Sequence, residues 1–183
     1  MADWILDIKE NQLESKLDFT TIEQQFGDEQ YTYQGTPYNY IRYFLNFINP
    51  GEEEVIYDFG CGYGRIVLYG AITRKSRFRG IEIVPERAKK AEIIKNFLKL
   101  ENAMIIPGNI LDQDFSDGNI FFLFNPFSYR TLEAVGEHLK KIAQQKNIRI
   151  VTWGGTSNEY FGHANWLTEI PHSHFSQLQF FES

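Results

Sequence analysis

Cysteine is almost missing from this chain of 183 residues. The single thiol, Cys61, excludes a disulfide scaffold, a cysteine-rich zinc site and a CxxC redox pair. Long apolar runs are missing too, and none approaches the roughly 20 residues that a bilayer-spanning helix needs. The opening MADWILDIKENQ has no basic stretch and is acidic, so it does not read as a secretory signal. Internal repeats and low-complexity tracts are also lacking. What is present is ample material for one core, with 43% hydrophobic and 16% aromatic residues, which argues against global disorder. The length fits one domain. The expectation is a soluble, cytoplasmic protein with no membrane partner.

Charge is unevenly spread. The total is −6, and residues 1–35 account for all of it with eight acids against two bases. From Arg65 to Lys99 the balance reverses, with ten bases and three acids. Such a block suits a nucleic-acid partner. It also suits a solvated helix face balanced by the acidic N-terminus, and that reading is preferred.

Periodicity and Gly/Pro punctuation divide the chain. Residues 3–17 place Trp4, Ile5, Ile8, Leu13 and Leu17 at helical spacing, and Gln24 to Pro37 reads as loop. A helix follows from Tyr38 to Ile48, stopped by Asn49-Pro50-Gly51. Short apolar strands then alternate with helices. The strands are Val55–Phe59, Phe78–Val84, Ala103–Pro107, Asn119–Asn125 and Asn147–Trp153; the helices are Gly64–Thr73, Pro85–Leu100 and Ser128–Gln145. Continuous apolar strands alternating with helices predict an α/β fold, a mostly parallel sheet covered on both faces. Trp166–Pro171 and Phe175–Phe181 lie too close together for an intervening helix, so they predict a C-terminal antiparallel hairpin and seven strands in all. Residues 1–50 form an N-terminal helical arm, and residues 51–183 the main domain.

The most informative segment is Asp58-Phe-Gly60-Cys61-Gly62-Tyr-Gly64-Arg65, where a strand ends in glycines and turns into a helix. Bare backbone there can approach a ligand at the helix N-terminus. The spacing is GxGxG, with Arg65 where the dinucleotide fingerprint GxGxxG wants its third glycine. No phosphate-loop pattern GxxxxGK[ST] exists. Asp58 at the strand end repels a pyrophosphate and favours a cationic ligand. Glu82 lies 24 residues on, between Ile81 and Ile83, where an unpaired acid is costly. In an open α/β sheet it stands beside the glycine loop, where a carboxylate accepts both hydroxyls of a ribose.

With these residues the chain resembles the class I S-adenosylmethionine-dependent methyltransferases. Asp58 to Gly64 looks like their first motif, Glu82 like their ribose-binding acid, and Pro107-Gly108-Asn109-Ile110 like their third-strand segment, with Asn109 in place of the usual aspartate. The resemblance covers about residues 50–183. It implies S-adenosylmethionine as cofactor, its methionine portion on the backbone of Gly60, Cys61, Gly62 and Gly64, and its ammonium near Asp58. It further implies Glu82 on the ribose, Ile83 and Ile110 on the adenine faces, and Asn109 accepting from the adenine amino group. Asn125-Pro126-Phe127 resembles the post-strand catalytic motif [DN]PP[FYW] of methyltransferases acting on exocyclic amines of bases or on amide nitrogen, but lacks its second proline. In that motif the Asn side chain and a proline carbonyl accept from the target NH₂ and the aromatic stacks on it. The three residues also resemble the same position of Rossmann-like protein-lysine methyltransferases, and a turn that closes the fourth strand is the alternative. Thr36-Pro37-Tyr38, together with this NPF, resembles an uncharacterised bacterial methyltransferase group. In many class I enzymes the segment before the first motif folds over the cofactor, which implies that Thr36 and Tyr38 close the pocket within a lid of residues 20–38; an N-terminal arm packed on the sheet is the alternative.

The function so implied is methyl transfer to a nitrogen of a protein side chain or small molecule, by a monomer or small homo-oligomer. Two alternatives stay open: a non-catalytic S-adenosylmethionine-binding or partner subunit, and a nucleic-acid base methyltransferase. A dehydrogenase conflicts with Arg65 and the GxGxG spacing. No metal is expected: His163, His172 and His174 could look like ligands, but His172-Ser173-His174 falls in the predicted hairpin turn with no nearby carboxylate cluster. Cys61 fills a position that needs a small side chain, His138 sits on a helix surface, and Trp153-Gly154-Gly155 either borders the acceptor pocket or turns the chain.

Overall fold

The strands of the protein are Val55–Phe59 (β1), Arg77–Glu82 (β2), Ala103–Pro107 (β3), Ile120–Leu123 (β4), Arg149–Trp153 (β5), Thr168–Glu169 (β6) and Leu178–Glu182 (β7). They belong to a computed structural model that describes residues 9–27 and 33–183. The sheet order is β3-β2-β1-β4-β5-β7-β6. Strands β1 to β5 run parallel, and β7 is antiparallel to both β5 and β6. The helices are Phe19–Phe26 (α1), Tyr38–Ile48 (α2), Arg65–Thr73 (α3), Pro85–Phe97 (α4), Tyr129–Ala143 (α5) and Gly155–Gly162 (α6), with a 3-10 turn at Ile110–Asp112. Residues 9–14 are helical as well. None of the described helices is long and apolar enough to cross a membrane.

Every residue of β1 and β4 is buried, because both faces of the sheet are covered. On one face Ile56, Phe78, Phe122 and Val151 pack against Ile41, Phe44 and Leu45 of α2 and Ile66 and Val67 of α3. Phe44 stacks on Phe122 with centroids 5.1 Å apart. On the other face Tyr57, Phe59, Phe121 and Leu123 pack against Leu132, Val135 and Leu139 of α5. Full burial of one such aromatic is worth roughly 1.5–3 kcal/mol, so this double layer fixes the plane of the sheet. Its parallel strands all end on one edge. The order reverses between β1 and β4, and at such a switch point the connecting loops diverge and leave a crevice.

The expected strands and the terminal hairpin are present, with ends shifted by a few residues. Two helices were not foreseen. Helix α1 lies partly inside the stretch read as loop; Asp18 caps it, accepting from Thr21 N at 3.3 Å and from Thr21 Oγ1 at 2.7 Å. Helix α6 follows β5 directly, and Gly154, with φ of 72°, makes its entry turn. Of the helix expected over residues 3–17, residues 3–8 lie outside the described part and residues 15–17 form a turn. His138 is half-buried rather than on the surface, its ring 4.4 Å from that of Phe115.

Candidate active site

The crevice at the switch point holds a cleft of about 450 Å³, a size suited to a nucleoside-bearing ligand. Asp58, Gly60, Cys61, Gly62, Arg65, Glu82, Ile83, Asn125, Pro126, Phe127 and Thr36 all line it, so the glycine loop, the β2 acid and the post-β4 motif meet there. A narrower slot continues from it between Ile83, Gly108, Asn109 and Ile110 on one side and Pro126 and Phe127 on the other.

The glycine loop is held by its neighbours. Gly60 N and Cys61 N both donate to Ile81 O, at 2.9 and 3.0 Å, which ties the loop to β2. Gly60 has φ of 72°, and a Cβ there would stand 2.6 Å from Pro126 Cβ. Gly62 has φ of 57°, and a Cβ there would stand 2.4 Å from the Tyr33 ring. The loop is thus pressed between Pro126 and Tyr33, with room for backbone only. Gly64 does not line the cleft; it starts α3 and faces Ala91 and Ile105. Cys61 covers Gly80, where a Cβ would lie 2.5 Å from the thiol sulfur, so its small side chain serves packing. Burial and the nearby Asp58 and Glu82 push its thiol well up, which disarms it as a nucleophile.

Two buried carboxyls face the cleft. Glu82 Oε2 accepts from Gly62 N at 2.8 Å and Oε1 from Val84 N at 2.9 Å, so the acid at the end of β2 also braces the loop. Burial raises its pKa, while the Arg87 guanidinium and the two amides oppose the rise. Asp58, at the end of β1, is 5% exposed. Burial first, and then the charge of Glu82, push its carboxyl up to about 8.

The other expected site residues are placed as follows. Thr36 is buried in the cleft wall, and its carbonyl accepts from Arg65 Nη1 at 3.4 Å. Tyr38 is not in the lining; its ring carries the Arg65 guanidinium at 5.5 Å and packs on Tyr69. Asn109 borders the slot, and its Oδ1 accepts from Leu111 N at 2.9 Å, capping the 3-10 turn. Asn125 has φ of 39°, and its Oδ1 accepts from Ser157 N at 3.1 Å, which caps α6 from the end of β4. Phe127 both lines the cleft and packs on Phe59 in the core. Trp153 lies behind Phe124, with rings 4.2 Å apart, and Gly154 serves the turn. His172 bonds to Tyr43 Oη at 3.3 Å and Leu178 O at 2.7 Å, and none of the three lines the cleft.

Four charged residues and one ring escaped the sequence reading of the site. Arg65 and Arg87 line the cleft, are 4% exposed each, and are paired with Glu10 and Glu14 of the N-terminal segment. Tyr33 covers the loop beside them. The opposite charge of residues 1–35 and 65–99 was the available signal; the individual pairs were not visible.

No family model matches the chain. A protein-lysine N-methyltransferase of Saccharolobus islandicus is 32% identical over 95 residues, which cover 50% of this chain and 58% of that protein. The match therefore spans little more than half the length of that relative. An RNA methyltransferase of Salinibacter ruber, solved with S-adenosyl-L-homocysteine, superposes with a TM-score of 0.64 at 20% identity, over 81% of this chain and 92% of its own. A human methyltransferase 10 domain containing protein superposes with a TM-score of 0.55 at 15% identity, over 94% and 96%. At such identities the likeness is one of architecture. Together with the strand order and the antiparallel β7, it shows that the chain has the class I methyltransferase fold.

Proposed function

We propose that the protein is an S-adenosylmethionine-dependent methyltransferase that acts on a nitrogen of a protein side chain, with a lysine amine as the acceptor class. One observation carries the cofactor: two buried carboxyls, Asp58 and Glu82, face a single cleft on either side of a glycine loop that admits only backbone. The residues fit the group. Glu82, fixed by two backbone amides, is presented to ribose hydroxyls. Asp58 offers a carboxyl to an ammonium, and the N-terminus of α3 with Arg65 favours a carboxylate. The slot is lined by Ile83, Ile110, Pro126 and Phe127, apolar side chains that can cover the faces of an adenine. When bound, S-adenosylmethionine supplies a methyl group on a sulfonium that is already activated. The chain's own work is positioning and exclusion of water.

The acceptor end is formed by Phe124, Asn125, Pro126, Phe127 and Thr156. Its aromatic walls suit the methylene stem of a lysine. Asn125 Oδ1 accepts from the α6 amide and keeps a second lone pair for the N–H of an acceptor. The lysine acceptor class also agrees with the relative from Saccharolobus islandicus. The bases of α4 that suggested nucleic acid include Arg87, which is buried and paired with Glu14.

The test is calorimetric titration with S-adenosylhomocysteine, for the wild type and Glu82→Ala. Micromolar binding that the variant loses by at least tenfold supports the cofactor; absence of binding to the wild type sinks it. Methyl transfer from labelled S-adenosylmethionine is then compared on lysine-rich protein and on RNA, and label confined to RNA overturns the acceptor class. Asn125→Ala separates an enzyme from a binding module. For an enzyme, turnover falls at least a hundredfold while S-adenosylhomocysteine affinity changes little.

A further inference from the structure

Two acids of the N-terminal segment reach the wall of the cleft. Glu10 and Glu14 are one helical turn apart, so they project from the same face, and both are buried. Glu10 accepts from Arg65 Nε at 2.9 and 3.0 Å and pairs with Nη2. The Tyr33 hydroxyl donates to Glu10 Oε2 at 2.8 Å. Glu14 accepts from Arg87 Nε and Nη2, both at 2.9 Å, and the Tyr63 hydroxyl donates to it at 2.7 Å. Buried, bidentate pairs of this kind hold a guanidinium in one orientation.

The two arginines reach the cleft from different helices, α3 and α4. Arg65 opens α3 directly after the glycine loop, where the helix terminus already favours an anion. Arg87 stands beside the second acid, its Nη1 3.8 Å from Glu82 Oε1. Glu14 and Glu82 therefore compete for one guanidinium. With Glu14 holding two of its nitrogens, Arg87 stops short of a hydrogen bond to Glu82, which lines the cleft.

We infer that Glu10 and Glu14 are positioning residues for opposite halves of the bound cofactor. Glu10 sets Arg65 for the amino-acid carboxylate, and Glu14 holds Arg87 off Glu82 so that the ribose hydroxyls can be received. This rests on the cofactor reading given above. It gives the acidic N-terminal segment a role in ligand recognition, divided residue by residue.

The division is measurable with two ligands, S-adenosylhomocysteine and adenosine, since adenosine lacks the amino-acid half. Glu10→Gln weakens S-adenosylhomocysteine about tenfold or more and leaves adenosine within twofold. Glu14→Gln weakens both by a similar factor of about ten. In Glu14→Gln/Arg87→Met, where the competitor is gone, adenosine affinity recovers most of that loss. Circular dichroism checks the fold of each variant. Should the glutamine variants fail to fold, Tyr33→Phe and Tyr63→Phe each remove one orienting hydrogen bond and give the same pattern with two- to threefold effects. Equal losses of both ligands in every variant, or no recovery in the double variant, overturn the inference and leave the segment a structural brace. A wild type that binds neither ligand overturns the cofactor reading itself, and the inference with it.

Discussion

Asp58 is held in an unusual state. No hydrogen bond to its carboxyl is found among the described residues, and burial beside Glu82 pushes it up to about 8. At neutral pH the unliganded protein therefore carries it largely protonated, whereas a ligand ammonium is best received by its ionised form. Affinity for S-adenosylhomocysteine is expected to rise with pH, by up to about tenfold per unit below 8, and to level off above it. Stability moves the other way. The folded pKa lies above the ordinary value of 3.8, so the contribution of this group is fully present below about 4 and is lost as pH rises through about 8. Asp58→Asn should weaken binding, abolish its pH dependence and flatten the fall in melting temperature of the unliganded protein between pH 5 and 8. Titrations and thermal melts at four pH values test all three; a pH dependence retained in the variant assigns it elsewhere. Cys61, buried against Gly80 with its thiol pushed well up, is expected to resist alkylation until the protein unfolds. Modification by iodoacetamide at a rate near that of free cysteine would refute this.

Among the elements, the β1–α3 turn carries the tightest fit. Gly60→Ala adds a Cβ at 2.6 Å from Pro126 Cβ at a φ of 72°, so both the post-β4 loop and the turn must shift. Loss of at least tenfold in S-adenosylhomocysteine affinity is expected, with a lowered melting temperature; unchanged affinity would mean the loop does not cradle the ligand. This turn was legible in the sequence because its signals are local: a short apolar run, three glycines at close spacing and a helix start. Glu82 was legible too, since a lone acid between isoleucines needs a reason to be there. Helix α6 was not. Its segment Gly-Thr-Ser-Asn-Glu-Tyr-Phe-Gly buries only Ser157 and Phe161, giving no apolar stripe, and its cap comes from Asn125, 32 residues earlier. Helix α1 did have a signal, Asp18 before and Gly27 after, set in a polar stretch that masked it. The pairs Glu10–Arg65 and Glu14–Arg87 span 55 and 73 residues, so sequence showed two blocks of opposite charge and nothing of their register.

At the scale of the whole molecule, the apolar layers that hold the sheet reach the edge that holds the cleft through residues such as Phe122 and Phe127. Phe44 and Phe122 stack in the layer under α2, and Phe44 is wholly buried and does not line the cleft. Phe44→Ala removes a fully packed ring, a change worth about 3–5 kcal/mol, which is a large part of the 5–15 kcal/mol typical of a domain. At this chain length each kcal/mol corresponds to roughly 2–4 °C, so a fall of about 6–20 °C is expected. Ligand binding acts in the opposite direction by mass action. S-adenosylhomocysteine at a hundred times its dissociation constant adds about 2.7 kcal/mol to whatever stability the unliganded protein has. If core and cleft are independent, that increment is the same in Phe44→Ala and in the wild type, and the dissociation constant measured well below the melting temperature is unchanged. Chemical denaturation of both proteins, with and without the ligand, makes the comparison. A ligand increment that shrinks in the variant would show that packing under α2 also shapes the cleft, through Phe122, which borders both.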